Sequence, residues 1–262
     1  ATTKLHAALL DLRIIPNKDK LKELLSDASS RDLSLYTKES GAVLKLAVDL
    51  AKAVYDDPLS DEDDVKAGND RIAVDADHVV ALWNGGNLRA DIAEGTFGAE
   101  ALAEVLPFPN KVAVVYMTGA QLLETLEAAS QGLPYTAETA DACASLMQVS
   151  GLTYTVDTTK AYDALKAYGD HWFTAGSVSR VRIDDVNGQP FDAEATYAVV
   201  TSNANFNGMD SSYVLKAAAE ANEQSAVTTA VVRDVVFRFI AAELNHQVGE
   251  AYAAPQGRLT IL

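Results

Sequence analysis

Cysteine is nearly absent from this chain of 262 residues, which has a single thiol at Cys143. A lone cysteine excludes an internal disulfide and does not decide the redox compartment. The stretch around it, ETADACASLMQ, contains no histidine to activate the thiol, and small buried cysteines are common. We therefore expect Cys143 to be a structural residue.

Basic residues are also scarce, with 21 Lys and Arg against 37 Asp and Glu and a formal net charge of -16. A chain of this sign repels nucleic acids and anionic membranes, so any bound phosphate must be held by a few local donors. No apolar run approaches the roughly 18 residues of a membrane helix, and no signal peptide opens the sequence. We expect neither a nucleic acid partner nor membrane insertion.

Motifs for metal binding and catalysis are missing as well. The acidic cluster from Asp61 to Asp64 lacks the glycine and the distant glutamate of a calcium loop, and no G-x-S-x-G elbow occurs. The histidines are scattered, with no partner at ligand spacing: His6, His78, His171 and His246. The sequence therefore predicts no catalytic residue and no metal site in this chain.

Residues 18–74 have the apolar spacing of helices. One stripe contains Leu21, Leu24, Leu25 and Ala28, a second contains Val43, Ala47, Leu50, Ala51 and Val54, and a weaker third contains Val65, Gly68 and Ile72. The connecting loops are short enough to force antiparallel neighbours, which predicts a small three-helix bundle. Phrases such as Tyr36-Thr37-x-x-Ser40 and AKAVYDDPLSDEDDV resemble the FIVAR-type modules of bacterial surface proteins, which implies a spacer or contact role.

The apolar period changes after residue 77. Strands are predicted for HVVALW, NKVAVVYM, LMQVSGLTYTVD, SVSRVRIDD, TYAVVTSN and GRLTIL, and helices for GAEALAEVL, TGAQLLETLEAAS and AVTTAVVRDVVFRFIAAELN. Thr118 and Gln121 form a capping box before the second of these helices, and Val186-Asn187-Gly188 predicts a turn. Because strands and helices alternate without strict βαβ order, we expect an α+β fold with mixed sheets.

Four phrases of this region carry a resemblance in order and spacing: WNGGNLRADIAEGTF, EVLPFPNKVAVVYMTGAQLLETLEAAS, QVSGLTYTVD and TYAVVTSNANFNGMD. They resemble the C-terminal domain of the 5'-nucleotidase family, which includes UDP-sugar hydrolases and 2',3'-cyclic-nucleotide phosphodiesterases. The opening TTKLHAALLDLR is similar to the first helix of that domain. The resemblance implies layered mixed β-sheets with packed helices, formed by residues 1–16 and 77–262, with residues 17–76 as an inserted three-helix bundle.

Residues near the Asn84-Gly85-Gly86 turn have the chemistry of a nucleotide site. Glycines after a strand let a ligand approach the backbone closely. Arg89 offers a planar fork that matches phosphate oxygens. Phe108, fixed between two prolines, presents a rigid ring on which a base can stack, and Asn110 has both a donor and an acceptor for a base edge.

The family resemblance assigns a role to each of these residues. It implies that Asn84 and Arg89 lie on the phosphate side, with Gly85 and Gly86 beside them. Phe108 is implied as one face of a base clamp, with Asn110 as the base-contacting asparagine. Asp210 is implied as the carboxylate that binds ribose hydroxyls.

Plainer interpretations of three of these residues stay open. Asn84 is also explained as a cap of the turn. Arg89 is also explained by a surface ion pair with Asp91. Phe108 is also explained as an ordinary core residue, because an aromatic after proline often closes a domain edge.

Two positions depart from the family pattern. The second stacking aromatic of the family corresponds to Ala204, and we predict that Phe206 replaces it, because alternate residues of a strand share a face. The usual Gly-Gly-Asp is Gly208-Met209-Asp210 here, which puts a bulky side chain where the family has none.

The resemblance also implies a catalytic partner. In the family, two metal ions polarise the phosphate and activate the water that hydrolyses a phosphoester. The metal ions are held by an N-terminal metallophosphatase domain with D-x-H and G-N-H-[DE] motifs. Neither motif occurs here, so we expect a divalent metal pair only in such a domain and no cofactor in this chain. The prediction is an extracellular, cell-surface or periplasmic domain that recognises a nucleotide or nucleoside and is inactive alone. The alternative is a non-catalytic assembly or adhesion module on the same scaffold.

Overall fold

The computed structural model describes residues 17–31, 38–56 and 78–262. The predicted first helix, in residues 1–16, and the predicted third helix of the bundle lie outside these ranges. In them, the strands are β1 Val79–Asn84, β2 Lys111–Thr118, β3 Met147–Ser150, β4 Leu152–Val156, β5 Ala164–Ala167, β6 Phe173–Ala175, β7 Val181–Val186, β8 Thr196–Ser202, β9 Ala226–Val231 and β10 Leu259–Ile261. The α-helices there are α1 Asp19–Ser30, α2 Lys38–Asp56, α3 Ala99–Val105, α4 Gly119–Ala129, α5 Ala140–Cys143, α6 Asn203–Phe206, α7 Tyr213–Ala221 and α8 Val232–Ala242.

The larger sheet of this described region is mixed and has the strand order β3-β1-β8-β2-β9. Strand β1 runs parallel to β8, whereas the pairs β1–β3, β2–β8 and β2–β9 are antiparallel. Val80 and Leu82 of β1 are buried in the main core, which is the alternation expected of a strand packed on one face. Helices α4 and α7 pack against each other and against β2. The predicted α+β fold with mixed sheets and packed helices is confirmed.

The segment LMQVSGLTYTVD, predicted as one strand, is divided between two sheets. Strand β3 pairs with β1, whereas β4 joins β10 and β7 in a smaller sheet. Gly151 connects them with a φ of 79°, and a Cβ there would come within 2.9 Å of the Val79 carbonyl oxygen. The prediction is wrong because the alternation continues across a glycine whose left-handed geometry redirects the chain.

The prediction of one long helix over residues 226–245 is also wrong. Residues Ala226–Val231 form β9, which pairs with β2, and helix α8 covers only Val232–Ala242. The apolar spacing suits a helix, but the β-branched residues of AVTTAV suit a pleated strand, and pairing with β2 decides between them. At the start of α8, the Val232 amide donates to the Asn110 carbonyl oxygen at 2.9 Å.

Helix α4 begins at the predicted capping box. The Gln121 amide donates to Thr118 Oγ1 at 3.2 Å, and the Thr118 amide donates to Gln121 Oε1 at 2.9 Å. These two bonds satisfy amides that the first turn of a helix leaves without partners. Leu122 and Leu126 of α4 are fully buried in the main core.

Helices α1 and α2 pack against each other through a small apolar core. Leu21 and Ala51 are fully buried, and Leu24, Leu25 and Val54 pack beside them. These residues belong to the two apolar stripes predicted for this stretch. The assignment of residues 17–76 to a FIVAR-like insertion stays a prediction.

Candidate functional site

Two of the sequence motifs meet through a hydrogen bond between Asn84 and Asp210. Asn84 is fully buried at the end of β1, and its Nδ2 donates to Asp210 Oδ2 at 2.7 Å. Asn87 Nδ2 donates to Asn84 Oδ1 at 2.6 Å, so the asparagine is oriented from both ends. The Asn84 side chain accepts no hydrogen bond from a backbone amide of the turn that follows. The geometry therefore does not favour the interpretation of Asn84 as a turn cap.

The glycine turn packs against the protein's own backbone. The amides of Gly85 and Gly86 donate to the carbonyl oxygens of Leu146 and Ala144 at 2.8 and 2.9 Å. A Cβ on Gly86 would lie 2.8 Å from the Ala144 Cβ and 3.0 Å from its oxygen. The close approach that requires glycine is therefore internal, and both amides are already used.

Arg89 lies against the ring of Phe108. The guanidinium carbon is 5.4 Å from the ring centroid, within the range of a cation–π contact. The Arg89 amide donates to the Val105 carbonyl oxygen at 3.0 Å, which ties this residue to the end of α3. No ion pair with Asp91 is found among the described residues. Phe108 is 40% exposed, which argues against the interpretation as a core residue.

Asn110 and Phe108 border a narrow cleft that has no room for a water molecule. The cleft is lined by Trp83, Asn87, Leu106, Phe108, Asn110 and Val232. The lining combines aromatic and aliphatic carbon with two side-chain amides, and these groups are packed too closely to hold a ligand between them in this structure.

The loop at Asp210 is held in an unusual backbone conformation. Asp210 and Ser211 have φ values of 51° and 67°, a region that non-glycine residues seldom adopt. Tyr168 Oη donates to the Gly208 carbonyl oxygen at 2.6 Å, and Gln131 Nε2 donates to Ser211 Oγ at 2.7 Å. The first bond holds the backbone before Asp210, and the second holds the side chain of the residue after it.

The carboxyl group of Asp210 is partly desolvated. Burial raises its pKa from the ordinary value of 3.8, and the hydrogen bond from Asn84 and the charge of Arg89 act in the opposite direction. Asn84, Arg89, Phe108 and Asp210 are thus joined by two contacts and one electrostatic interaction.

Phe206 is not part of this group. The argument that placed it on a strand is wrong, because Asn203–Phe206 is a single helical turn that follows β8. Its side chain is partly buried against the main core, and no ring contact with Phe108 is found in the described part of the chain.

Chemistry of other kinds finds little support in residues 17–31, 38–56 and 78–262. These ranges contain no group of three or more His, Cys, Asp or Glu that could hold a metal ion. Cys143 Sγ donates to the Gly132 carbonyl oxygen, and burial raises its pKa, so the thiol is poorly suited to act as a nucleophile. None of the helices in these ranges has the length and apolar character to span a membrane.

Sequence reasoning missed three contributors to this region. Asn87 orients Asn84, Tyr168 holds the Asp210 loop from the β5–β6 hairpin, and Trp83 lines the cleft. Asn87 could have been recognised from the sequence, because it lies in the motif WNGGNLRADIAEGTF together with Asn84. The hairpin strands are short and largely exposed, so they carry no clear apolar alternation.

A comparison with protein families matches residues 22–217 to the model described as "5'-nucleotidase, C-terminal domain". This match extends over well more than half of the chain.

Three individual proteins illustrate the similarity. The chain is 29% identical over 134 residues to an apyrase of Tabanus yao, which covers 50% of this chain and 22% of that protein. It is 31% identical over 126 residues to the trifunctional nucleotide phosphoesterase protein YfkN of Bacillus subtilis (strain 168), covering 47% of this chain and 7% of that protein. The crystal structure of a 5'-nucleotidase precursor from Thermus thermophilus is similar with a TM-score of 0.54 and 31% identity, covering 70% of this chain and 31% of that one. The chain therefore spans less than a third of the length of each.

Proposed function

The chain belongs to the 5'-nucleotidase C-terminal domain family, and from that premise we propose that it recognises a nucleotide or nucleoside for a phosphohydrolase of this family. The proposal depends mainly on the hydrogen bond between Asn84 and Asp210, which joins two motifs that are distant in the sequence. A second contact, between Arg89 and Phe108, gives the same region a cation and a flat ring. A phosphate, a sugar and a base each have a chemically matched partner there.

The proposed roles follow from the chemistry of each side chain. Arg89 binds phosphate oxygens through its guanidinium, and Asp210 accepts hydrogen bonds from ribose hydroxyls. Phe108 stacks on the base, and Asn110 bonds to the base edge. Asn84 orients Asp210 from a fully buried position. Gly86 allows the turn to pack on Ala144, and the amides of both glycines bond to the neighbouring backbone, which fixes Asn84 at the end of β1.

We also propose that the whole protein hydrolyses its substrate in a metallophosphatase domain that holds a pair of divalent metals. The described residues offer no cluster of metal ligands, so this chain contributes binding and orientation. Location outside the cytoplasm, in the periplasm or at the cell surface, is proposed from the same family relationship. The Thermus thermophilus relative is described as a precursor.

Calorimetry with AMP, adenosine and UDP-glucose tests the proposal. We expect Arg89→Ala to lower the affinity for AMP by about tenfold and the affinity for adenosine much less, because only AMP carries a phosphate. Phe108→Ala should lower the affinities for AMP and for adenosine by about tenfold each, since base stacking contributes roughly 1–3 kcal/mol. Arg238→Ala and Phe239→Ala are matched controls, with an exposed arginine and a phenylalanine that is 36% exposed. Absence of any binding by the wild type at millimolar ligand would contradict the proposal.

A second candidate function, an assembly or adhesion module, is favoured by helix α8. None of its residues is buried, and Phe237 is 49% exposed. Exposed aromatic side chains on one helix are suited to contact with another protein surface. Light scattering over a range of concentrations measures the self-association that this candidate requires. A monomeric chain that binds nucleosides would eliminate it.

A further inference from the structure

The loop that carries Asp210 is closed by a buried side-chain amide. Asn205 is fully buried, and its Nδ2 donates to Ser212 Oγ at 2.9 Å. Its Oδ1 accepts a hydrogen bond from Ser202 Oγ at 2.7 Å. Ser202 is the last residue of β8, and Ser212 directly precedes α7. The side chain of Asn205 therefore joins the two ends of the loop.

The serine before α7 is bonded to this amide and not to the helix. Although serine is a preferred residue at a helix start, the side chain of Ser212 makes no capping hydrogen bond to α7. Ser202 and Ser212 are both buried, and a buried hydroxyl without a partner is costly. Asn205 provides a partner for each hydroxyl, so the three side chains form a buried polar network where the loop begins and ends.

Asn205 also holds the backbone as the chain approaches Asp210. The Gly208 amide donates to the Asn205 carbonyl oxygen at 2.9 Å. Asp210 and Ser211 then adopt left-handed backbone conformations, which non-glycine residues seldom take without support from their surroundings. The hydrogen bonds that close the loop therefore determine where the carboxyl group lies.

Asp210 is held in place without being enclosed. Its Oδ2 accepts the hydrogen bond from the fully buried Asn84, whereas part of Asp210 itself is exposed. The loop thus keeps the carboxyl group between a buried partner and the surface. A shift of the loop by about 1 Å would take this bond beyond hydrogen-bonding distance.

We infer that Asn205 is a positioning residue for Asp210, because its buried amide keeps the ends of the loop at the separation that lets the carboxyl group meet Asn84 and face the sugar of a ligand. The inference rests on the proposed function, since it concerns the ribose portion of the same nucleoside. Asn205 is fully buried, so it acts through Asp210 and not by contact with the ligand. Its loss affects only ligands that have ribose hydroxyls.

The test compares adenosine with 2',3'-dideoxyadenosine, which has the same base and lacks both ribose hydroxyls. We expect Asn205→Ala to lower the affinity for adenosine by about tenfold, the usual effect of one lost hydrogen bond, and to leave the affinity for the dideoxy analogue unchanged. Calorimetry measures both affinities at a temperature where circular dichroism shows the variant to be folded. In the Asp210→Ala background, Asn205→Ala should lower the affinity for adenosine no further.

Ser212→Ala tests the same network with a smaller change, and it decides the matter if Asn205→Ala does not fold. It removes the acceptor of the Asn205 amide, and we expect the affinity for adenosine to fall severalfold while that for the dideoxy analogue is unchanged. Thr155→Val is the matched control, since the hydroxyl of this buried residue donates to Asp184 Oδ2 at 2.7 Å in the smaller sheet. Its stability should fall while both affinities stay the same.

The outcomes separate the inference from the proposed function. Equal losses of affinity for the two nucleosides in the variants, or no loss for either, overturn the inference and leave the proposed function in place. The same conclusion follows if the wild type binds adenosine and its dideoxy analogue equally well, because the carboxylate then makes no contribution through ribose. If the wild type binds no nucleoside, both fail.

Discussion

At the scale of single residues, the site depends on polar side chains that hold one another. Asp210 is bonded by a buried asparagine, lies within the field of an arginine, and occupies a backbone region that favours glycine. Such arrangements cost stability and persist where the surrounding structure enforces them. We therefore expect some substitutions here to stabilise the fold while they weaken binding.

Asp210→Asn is the clearest case. Burial raises the pKa of Asp210, so the folded protein binds its proton more tightly than the unfolded chain does. Stability must then fall as the pH rises from 3.8 through the folded-state pKa. The Asp210→Asn variant has no carboxyl group to titrate at this position, so this contribution to the pH dependence of stability is lost. Its amide oxygen can still accept the hydrogen bond from Asn84. Its free energy of unfolding should exceed that of the wild type at pH 7, with an advantage that shrinks on acidification, while adenosine affinity falls by about tenfold.

Urea denaturation at several pH values measures this difference. Asp49→Asn is the control for net charge, since that side chain is exposed. A wild type that gains stability over Asp210→Asn as the pH rises toward 7 would refute the prediction.

The glycine turn provides a second test at this scale. Gly86→Ala places a Cβ 2.8 Å from Ala144 Cβ, whereas a Cβ on Gly85 meets only the Leu146 oxygen at 3.5 Å. We expect Gly86→Ala to lower the free energy of unfolding by roughly 1–3 kcal/mol and Gly85→Ala to change it by less than about 0.5 kcal/mol. Equal effects of the two variants in thermal denaturation would show that the packing against Ala144 is not the reason for the glycine.

At the scale of elements, the β5–β6 hairpin supports the loop that carries Asp210. Tyr168, next to the end of β5, donates to Gly208, and the Phe173 amide on β6 donates to Gln131 Oε1 at 2.8 Å. Gln131 in turn donates to Ser211. The hairpin lies outside the candidate site and is coupled to it through these bonds.

Tyr168→Phe removes the bond to Gly208 and should destabilise the protein by about 1 kcal/mol. It should also weaken adenosine binding severalfold, because the loop around Asp210 is less well held. Tyr197→Phe is the matched control, since Tyr197 Oη donates to the Asp192 carbonyl oxygen near the start of β8, away from the Asp210 loop. We expect a similar loss of stability with unchanged affinity. Calorimetry that finds equal affinities for the two variants would contradict the coupling.

The elements also indicate how far sequence reasoning reaches. The capping box at Thr118 and the strands with clear alternation were predictable, because their signals are local. Strand β9 was not, since its apolar spacing fits two structures and the neighbouring strand decides. Trp83 was not recognised as a cleft residue, because a strand pattern does not reveal what packs on its second face. The family resemblance placed Asn84 and Asp210 in one binding site, but no sequence signal indicated that they bond to each other.

At the scale of the whole molecule, the net charge of -16 opposes the binding of an anionic ligand. Salt screens this long-range repulsion more than it screens contacts at short distance. We expect the ratio of AMP affinity to adenosine affinity to rise as ionic strength increases from about 10 to 200 mM. Calorimetry at several salt concentrations measures the ratio, with adenosine as the uncharged control. A ratio that falls steadily would mean that the local attraction of Arg89 dominates.

Asn84 and Asp210 are separated by 126 residues in the chain. During synthesis on the ribosome, the first partner emerges long before the second, so this contact closes late. A nascent chain that stops short of Asp210 lacks the carboxylate altogether. Ligand added during translation would therefore stabilise only molecules whose synthesis has passed that residue, and the ability to bind marks chains in which the two motifs have met.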